Sequence, residues 1–145
     1  GVITDSERGG QGVVVEKDGA LFSATDTTIS ENRKAGVVMK FPKSNSNLIR
    51  CKVERNHGVG VIVYGTASTA FRIDGGKIVD SHEEGLVISG EGFRPAIENL
   101  SVHGSTLSGL SVFEKAEPQL KGCNLEKNGQ GPIERAEAGP GMTVN

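Results

Sequence analysis

Residues 51–63 read CKVERNHGVGVIV, and the pattern of this stretch recurs along the chain. An apolar residue is followed by Asn or Ser three positions later, by Gly four positions after that, and then by an apolar-x-apolar pair. The glycines of successive copies lie 24, 24, 25 and 24 residues apart, at Gly12, Gly36, Gly60, Gly85 and Gly109. A spacing this regular indicates a solenoid of stacked repeats.

Each repeat contains three strand-like pieces. The first piece follows the glycine, and its alternation predicts that Val61 and Val63 point inward. The second is short, and we place it at apolar pairs such as Leu21 with Phe22 and Ala70 with Phe71. The third contains Cys51 and Val53 and the matching residues of the other repeats.

The turns between these pieces are too short to hold a helix, so each strand pairs in parallel with the same strand of the next coil. We therefore predict an all-β fold, a single-stranded right-handed parallel β-helix. It has about 24 residues and three short strands per coil, and roughly five to six coils.

The domain prediction is a single β-helix over residues 1–145 that is a fragment of a longer chain, because the sequence starts in mid-repeat without Met. Residues 1–11 are an incomplete first coil or a cap, and residues 12–128 are the regular coils. After Asn128 the expected glycine is replaced by Pro132. We read 129–140 as an inserted loop and 141–144 as the next first-sheet strand, with a terminal cap over 129–145 as the alternative.

Composition excludes two classes of partner. The net charge is -2 with both signs mixed along the chain, so no basic stripe is present for binding nucleic acid. No apolar run approaches the length of about 18 residues that a membrane-spanning helix needs. We predict neither a nucleic-acid nor a membrane partner.

The two cysteines, Cys51 and Cys123, occupy the same slot three repeats apart. With coils stacked at the spacing of parallel strands, their sulfurs are on the order of 14 Å apart, too far for a disulfide. We predict free, buried thiols and a reducing, cytoplasmic location. The sequon at Asn99 points the other way.

The polar residues that recur in the repeat are predicted to be architectural. Amides stacked one coil apart can hydrogen-bond as a ladder. His57 and His82 share one slot in adjacent coils, but the next coil offers Thr106 where a metal site would need a third ligand. We predict no metal site and no cofactor. The predicted ladder consists of Asn32, Asn56, Ser81, Ser105 and Asn128.

The repeat resembles the parallel β-helix repeat family, which includes pectate lyases, polygalacturonases, alginate epimerases and the substrate-binding region of certain F-box proteins. The resemblance covers residues 12–128. Residues 117–129 read EPQLKGCNLEKNG and are most similar to the F-box type, which favours Pro before the middle strand and Asn after the third. In the carbohydrate-active relatives the outer face of the first sheet is the substrate groove, so the resemblance implies that this face is the place to look for a site.

On that outer face, alternation places one column at Val14, Val38, Ile62, Val87 and Ser111, and a second at Glu16, Lys40, Tyr64, Ser89 and Phe113. A glycosidase needs two carboxylates as acid and base, and neither column supplies a pair. We predict no catalytic residues, and the balance favours a protein that is not an enzyme. The predicted binding residues are Val14, Val38, Ile62, Val87, Tyr64, Phe113, Lys40 and Phe93.

An apolar column on an outer face is typical of a binding surface. It is also what strand propensity alone would produce, or a surface that another segment of the protein covers. The leading hypothesis is a non-catalytic scaffold or substrate-recognition module that binds a protein. The alternative is a module that binds or processes carbohydrate, and a third reading is a structural spacer.

Overall fold

The computed structural model describes residues 2–4, 10–16, 20–43 and 45–145. The described residues form strands and turns and contain no helix. In chain order the strands are β1 (Val2–Thr4), β2 (Val13–Val15), β3 (Ser23–Thr25), β4 (Thr28–Ser30), β5 (Val37–Lys40), β6 (Ser46–Ile49), β7 (Lys52–Glu54), β8 (Val61–Tyr64), β9 (Phe71–Asp74), β10 (Lys77–Val79), β11 (Leu86–Ser89), β12 (Ala96–Glu98), β13 (Ser101–His103), β14 (Leu110–Phe113), β15 (Gln119–Lys121), β16 (Ile133–Glu134) and β17 (Thr143–Val144).

These strands build three parallel sheets, and each sheet takes one strand from every coil. The first sheet has the order β16-β14-β11-β8-β5-β2, the second β17-β15-β12-β9-β6-β3, and the third β1-β4-β7-β10-β13. Neighbours in a sheet are therefore one coil apart in sequence. This is a parallel β-solenoid of about six turns with a repeat of about 24 residues, which confirms the predicted fold class.

The core is the column of inward-facing side chains inside the coils. In the first sheet Val61 and Val63 are fully buried, as the alternation predicts, and so are their partners Val37 and Met39 in the preceding coil. The cysteines are free, as expected, but only Cys51 is buried and Cys123 is half-buried. The prediction of two buried thiols is therefore correct for one of them.

Left-handed backbone residues form the corners of the coil. One column, between the second and third sheets, consists of Asp26, Arg50, Gly75, Asn99 and Gly122. A second column, between the third and first sheets, consists of Glu31, Arg55, Asp80, Gly104 and Lys127. Because both columns keep a positive φ whatever residue they carry, the turn is imposed by the stacking of coils and not by local glycine content.

The repeated glycine of the motif marks a point where neighbouring coils touch. A Cβ added at Gly60 would lie 2.5 Å from the carbonyl oxygen of Gly85 and 2.4 Å from Ile78. Real Cβ atoms do not approach other atoms this closely. The period seen in the sequence is therefore a consequence of this contact.

The second-sheet strands lie later than predicted in two coils. Leu21 and Phe22 precede β3, and Leu21 is 59% exposed. The inward residue of that strand is Ala24, which is in register with Leu48 of the next coil. An inward alanine is too small to produce a visible apolar pattern, so the apolar pair beside it was misleading.

The interpretation of 129–140 as an inserted loop is wrong, as is that of 141–144 as a first-sheet strand. Ile133 pairs with Leu110 in the first sheet, so Pro132 takes the slot of the motif glycine. Its carbonyl accepts the N–H of Leu110 at 2.9 Å. No first-sheet strand among the described residues follows β16. There is therefore no next strand to which the N–H that proline lacks would have donated. Residues 143–144 belong to the second sheet.

At the other end, β1 is a third-sheet strand, with Ile3 in register with Ile29. Residues 5–9 lie outside the described residues, so the incomplete first coil or cap over residues 1–11 stays a prediction. That the chain is a fragment stays a prediction. A search of the described residues for a helix long and apolar enough to cross a membrane finds none.

Candidate functional site

The predicted outer column of the first sheet is aligned as expected. Val38 lies opposite Val14 on one side and Ile62 on the other, and Val87 follows Ile62. Ser111 continues the column in β14. The predicted apolar column is therefore a continuous stack across five coils.

This column is less exposed than an outer face would suggest. Val14, on the edge strand, is 43% exposed, but Val38 is only 9% and Val87 only 8% exposed. Ser111 is 3% exposed and Ile62 is half-buried. The column therefore forms the floor of a depression and not a raised apolar patch.

The corner between the third and first sheets forms one wall of this depression. The N–H of Gly58 donates to the carbonyl of Lys34 at 3.0 Å, and the N–H of Glu83 donates to the carbonyl of Gly58 at 3.3 Å. Leu107 continues this ladder to Glu83. We call this wall the corner ridge, residues 33–35, 57–59, 82–84 and 106–108.

A groove with a volume of about 250 Å³ lies between the corner ridge and the sheet. Val38 and Ile62 form its apolar floor, and Lys34 and Val59 lie on its ridge side. We call it the first-sheet groove. The remaining lining residues are Gln11, Arg33, Ala35, His57, Gly58 and Glu83.

The predicted second column lies on the opposite side of the floor. Lys40, Tyr64, Ser89 and Phe113 are in register from β5 to β14. Lys40 is exposed, Tyr64 and Phe113 are half-buried, and Ser89 is buried. Two aromatic side chains therefore remain accessible beside the apolar floor.

Phe93 does not belong to this surface, so its prediction as a binding residue is wrong. It is 0% exposed and part of the hydrophobic core. Its ring lies against Gly65, where an added Cβ would come within 2.5 Å of it. The rim loop turns inward at Phe93 because Gly65 leaves room for the ring.

The histidines are neighbours, as the repeat predicts. The rings of His57 and His82 are stacked with centroids 4.6 Å apart and planes 14° apart. Among the described residues no group of three or more His, Cys, Asp or Glu side chains could hold a metal ion. Parallel stacked rings do not aim their nitrogen lone pairs at a common point, so this geometry is a ring contact.

Glu31, Arg55 and Asp80 occupy one slot in successive coils beside the histidines, and ion pairs form along only part of this column. Arg55 pairs with Glu31 at 3.2 Å and with Glu54 at 3.2 Å. Asp80, the next residue of the column, forms no ion pair within the described ranges. Arg55 is therefore paired with the two glutamates, and Asp80 stays exposed to solvent.

The described lining of the first-sheet groove does not contain the pair of carboxylates that glycoside hydrolysis uses. Glu83 is the one carboxylate among its described lining residues. A glycosidase needs a second carboxylate at a fixed separation, and a metal-dependent mechanism needs a cluster of ligands. The chemistry that this groove offers is recognition by an apolar floor and several charged side chains.

Comparison with known proteins returns no relative: no family model, curated protein or solved structure matches the chain. The resemblance to β-helix repeats is therefore shown only at the level of the solenoid itself.

Sequence reasoning missed a second set of oriented side chains, on the outer face of the second sheet. Arg72 lies in β9 and Arg94 lies in the loop before β12. Placing β9 at Ala70 and Phe71 hid the outward position of Arg72. Alternation counted from Phe71 and Ile73, both buried, would have found it.

Proposed function

We propose that this chain is a non-catalytic β-solenoid that binds a protein partner along the first-sheet groove. The observation that carries the proposal is the apolar floor of Val38 and Ile62 beside a ridge that carries Arg33, Lys34 and Glu83. Interfaces combine a desolvated apolar centre with a polar rim in this way.

The side chains around the floor are of the types that dominate binding energy. Tyr64, two residues after Ile62 in β8, supplies aromatic area on one side, and Arg33 in the groove lining supplies a guanidinium on the other. Aromatic residues and arginine are enriched among interface hot spots. Lys40, fully outside the floor, would act at the rim, where charges set association rate more than affinity.

The two free thiols support a reducing compartment as the place where this module acts. A cytoplasmic location is accordingly part of the proposal.

The test uses Ile62→Asp, since Ile62 is half-buried and can take a charge with less damage than the nearly buried Val38. Val79→Asp is the matched control, because Val79 is a half-buried, outward β-branched residue on the third sheet. Both variants are first shown to melt cooperatively, within a few degrees of the parent.

A photo-reactive amino acid is then placed at Tyr64 in the parent and in both variants, and the covalent products formed in cell extract are identified. We expect a discrete protein adduct in the parent and in Val79→Asp, and its loss in Ile62→Asp. An adduct that persists in Ile62→Asp overturns the proposal. The absence of any adduct in the parent favours the structural spacer.

A further inference from the structure

A pocket of about 310 Å³ lies on the outer face of the third sheet, over β10, β13 and the segment that follows Cys123. Its lining combines three side chains that can carry positive charge, two neutral polar side chains and one carboxylate. We call it the third-sheet pocket, and it shares no lining residue with the first-sheet groove. The lining residues are Lys77, Ser101, His103, Asn124, Glu126 and Lys127.

The position of the pocket follows from the register of the third sheet. Ser101 lies opposite Lys77 of the preceding coil and forms a parallel bridge with Asn124 of the following one. His103 is two residues further along β13, so its side chain points to the same face as that of Ser101. Polar groups from three successive coils therefore meet at one place on the sheet.

The two lysines of the pocket have ammonium groups that the protein does not neutralise. Neither Lys77 nor Lys127 forms an ion pair or a side-chain hydrogen bond with another described residue. Lys52, which precedes Lys77 in the same column, differs because its Nζ lies 3.1 Å from a carboxylate oxygen of Glu54. An ammonium group has three donors and no acceptor. Lys77 and Lys127 can therefore both donate to an anion in the pocket.

The neutral side chains of the lining add further donors. Oδ1 of Asn124 accepts the N–H of Glu126 at 3.1 Å, which leaves Nδ2 as the end of the amide without a partner among the described residues. The half-buried hydroxyl of Ser101 can donate as well. A tetrahedral oxyanion has more oxygen atoms than a carboxylate and can accept from several such donors at once. The lining therefore favours phosphate or sulfate over a carboxylate.

The carboxylate of Glu126 distinguishes between these two tetrahedral anions. Glu126 forms no ion pair with another described residue, and an ionised carboxylate can only accept hydrogen bonds. Sulfate carries no proton at neutral pH, so its oxygens would face those of Glu126 with no hydrogen between them. Inorganic phosphate keeps a proton that it can donate to the carboxylate while its other oxygens accept. The lining therefore suits a protonated phosphate.

The charges around the pocket favour one phosphate group over a nucleic-acid backbone. Outside the lining, the carboxylate of Asp80 packs against Gly104, next to His103, and Lys52 is already paired. A nucleic-acid backbone is bound by a series of cations along its phosphates. These neighbours of the pocket do not extend its two lysines into such a series.

We propose that the third-sheet pocket binds a phosphate group. Lys77, His103 and Lys127 are the donors that can carry charge, and Glu126 accepts the proton of the phosphate. The volume of the pocket admits both the free ion and a small phosphate monoester. This site is independent of the first-sheet groove, and either can exist without the other.

The test is titration of the isotope-labelled protein, at about pH 6, with inorganic phosphate, methyl phosphate and sulfate at matched ionic strength. At this pH inorganic phosphate and a substantial fraction of a phosphate monoester carry a proton. Chemical shifts are followed at the imidazole of His103 and at the backbone of residues 101–103 and 124–127. The proposal requires saturable shifts there with a phosphate compound and roughly fivefold or more weaker binding of sulfate. The tighter of the two phosphate compounds shows whether the ligand is the free ion or an ester.

Lys77→Ala tests the position of the site, and Lys52→Ala is its matched control. Lys52 is an exposed lysine of the same outward column, but it does not line the pocket. We expect phosphate to bind roughly threefold or more weakly to Lys77→Ala and with unchanged affinity to Lys52→Ala. Equal phosphate affinities in the two variants overturn the proposal.

Glu126→Gln tests the selectivity separately. Glutamine has the shape of glutamate without its charge, and its NH₂ group can donate to sulfate. We expect sulfate to bind more tightly to this variant than to the parent, so that the preference for phosphate falls to about twofold or less. The proposal is also overturned if neither phosphate compound gives saturable shifts at millimolar concentration, if sulfate binds the parent as tightly as phosphate, or if Glu126→Gln keeps the full preference.

Discussion

The side-chain amide of Asn32 donates a hydrogen bond of 2.9 Å to Oδ1 of Asn56, one coil further along the chain. The same oxygen accepts the backbone N–H of Asn32 at 3.0 Å, and Nδ2 of Asn56 donates to the carbonyl of Ile29 at 3.1 Å. Both asparagines are 0% exposed. The corner of one coil is thus held by a side chain that belongs to the next.

Replacing Asn56 with Ala should destabilise the protein by about 3 kcal/mol, because it removes two buried hydrogen bonds that Oδ1 accepts from Asn32 and one that Nδ2 donates to Ile29. The measurement is urea unfolding followed by circular dichroism. Ser81→Ala is the control at the same slot one coil on, where the hydroxyl is buried with no hydrogen-bond partner. It should change the free energy of unfolding by less than about 1 kcal/mol. Equal losses in the two variants would show that the amide contributes only packing.

The ladder is interrupted at Ser81 and Ser105, and Ser81→Asn should restore one rung and raise the free energy of unfolding by about 1 kcal/mol. The two slots face equivalent glycines: the side-chain amide of Asn56 packs against Gly36, and the hydroxyl of Ser81 packs against Gly60. Thermal melting of Ser81→Asn tests this prediction, and a melting temperature below that of the parent protein contradicts it.

Alanine substitutions at two glycines with positive φ distinguish the stability cost of backbone strain from that of steric conflict. Gly131→Ala, at φ 98°, meets no atom within 4 Å and should cost about 1 kcal/mol from the left-handed backbone alone. Gly76→Ala, at φ 90°, brings a Cβ within 2.2 Å of the carbonyl oxygen of Cys51. It should cost about 3 kcal/mol or more. Chemical denaturation of both variants measures the difference, and a smaller loss for Gly76→Ala would contradict the close contact.

The carboxylate of Glu117 should make stability depend on pH in acid. Its pKa is lowered in the folded protein by the N–H of Gly141 and by Arg94, so the folded state binds this proton less readily than the unfolded state. The stabilisation is present above the ordinary glutamate pKa of about 4.3 and is lost as pH falls from there through the lowered value. Melting curves between neutral and acid pH should show a smaller decline in Glu117→Gln than in the parent. An identical decline would mean that Glu117 does not contribute.

The solenoid could be predicted because its determinants are local and repeated. A motif glycine such as Gly60 is required wherever two coils touch, and inward residues such as Val61 and Val63 are large enough to show the alternation. The prediction failed where the inward residue is small, as at Ala24, and where Pro132 takes the place of a glycine. In both cases the strand forms because it pairs with a strand of a neighbouring coil. The sequence of the segment itself does not reveal that pairing.

The candidate site was less accessible to sequence reasoning because exposure depends on neighbours outside the strand. Alternation correctly puts Val87 on the outer face, but the structure leaves it only 8% exposed. Phe93 was predicted to be a binding residue, but it lies in the core because Gly65 makes room for its ring. The ion pairs that orient Arg72 reach across coils, to Glu98 in the next coil, and need the register to be known first.

The hydrogen bonds of all three sheets join one coil to its neighbour, so they point along the axis of the solenoid. A force applied along that axis is carried by every interface in series, and an interface at an end can separate while the coils behind it keep their bonds. Coils at an end should therefore detach one at a time, each releasing about 24 residues and about 80 Å of extended chain. If this chain links other parts of a larger assembly, it would lengthen in equal steps under load and shorten again as coils restack.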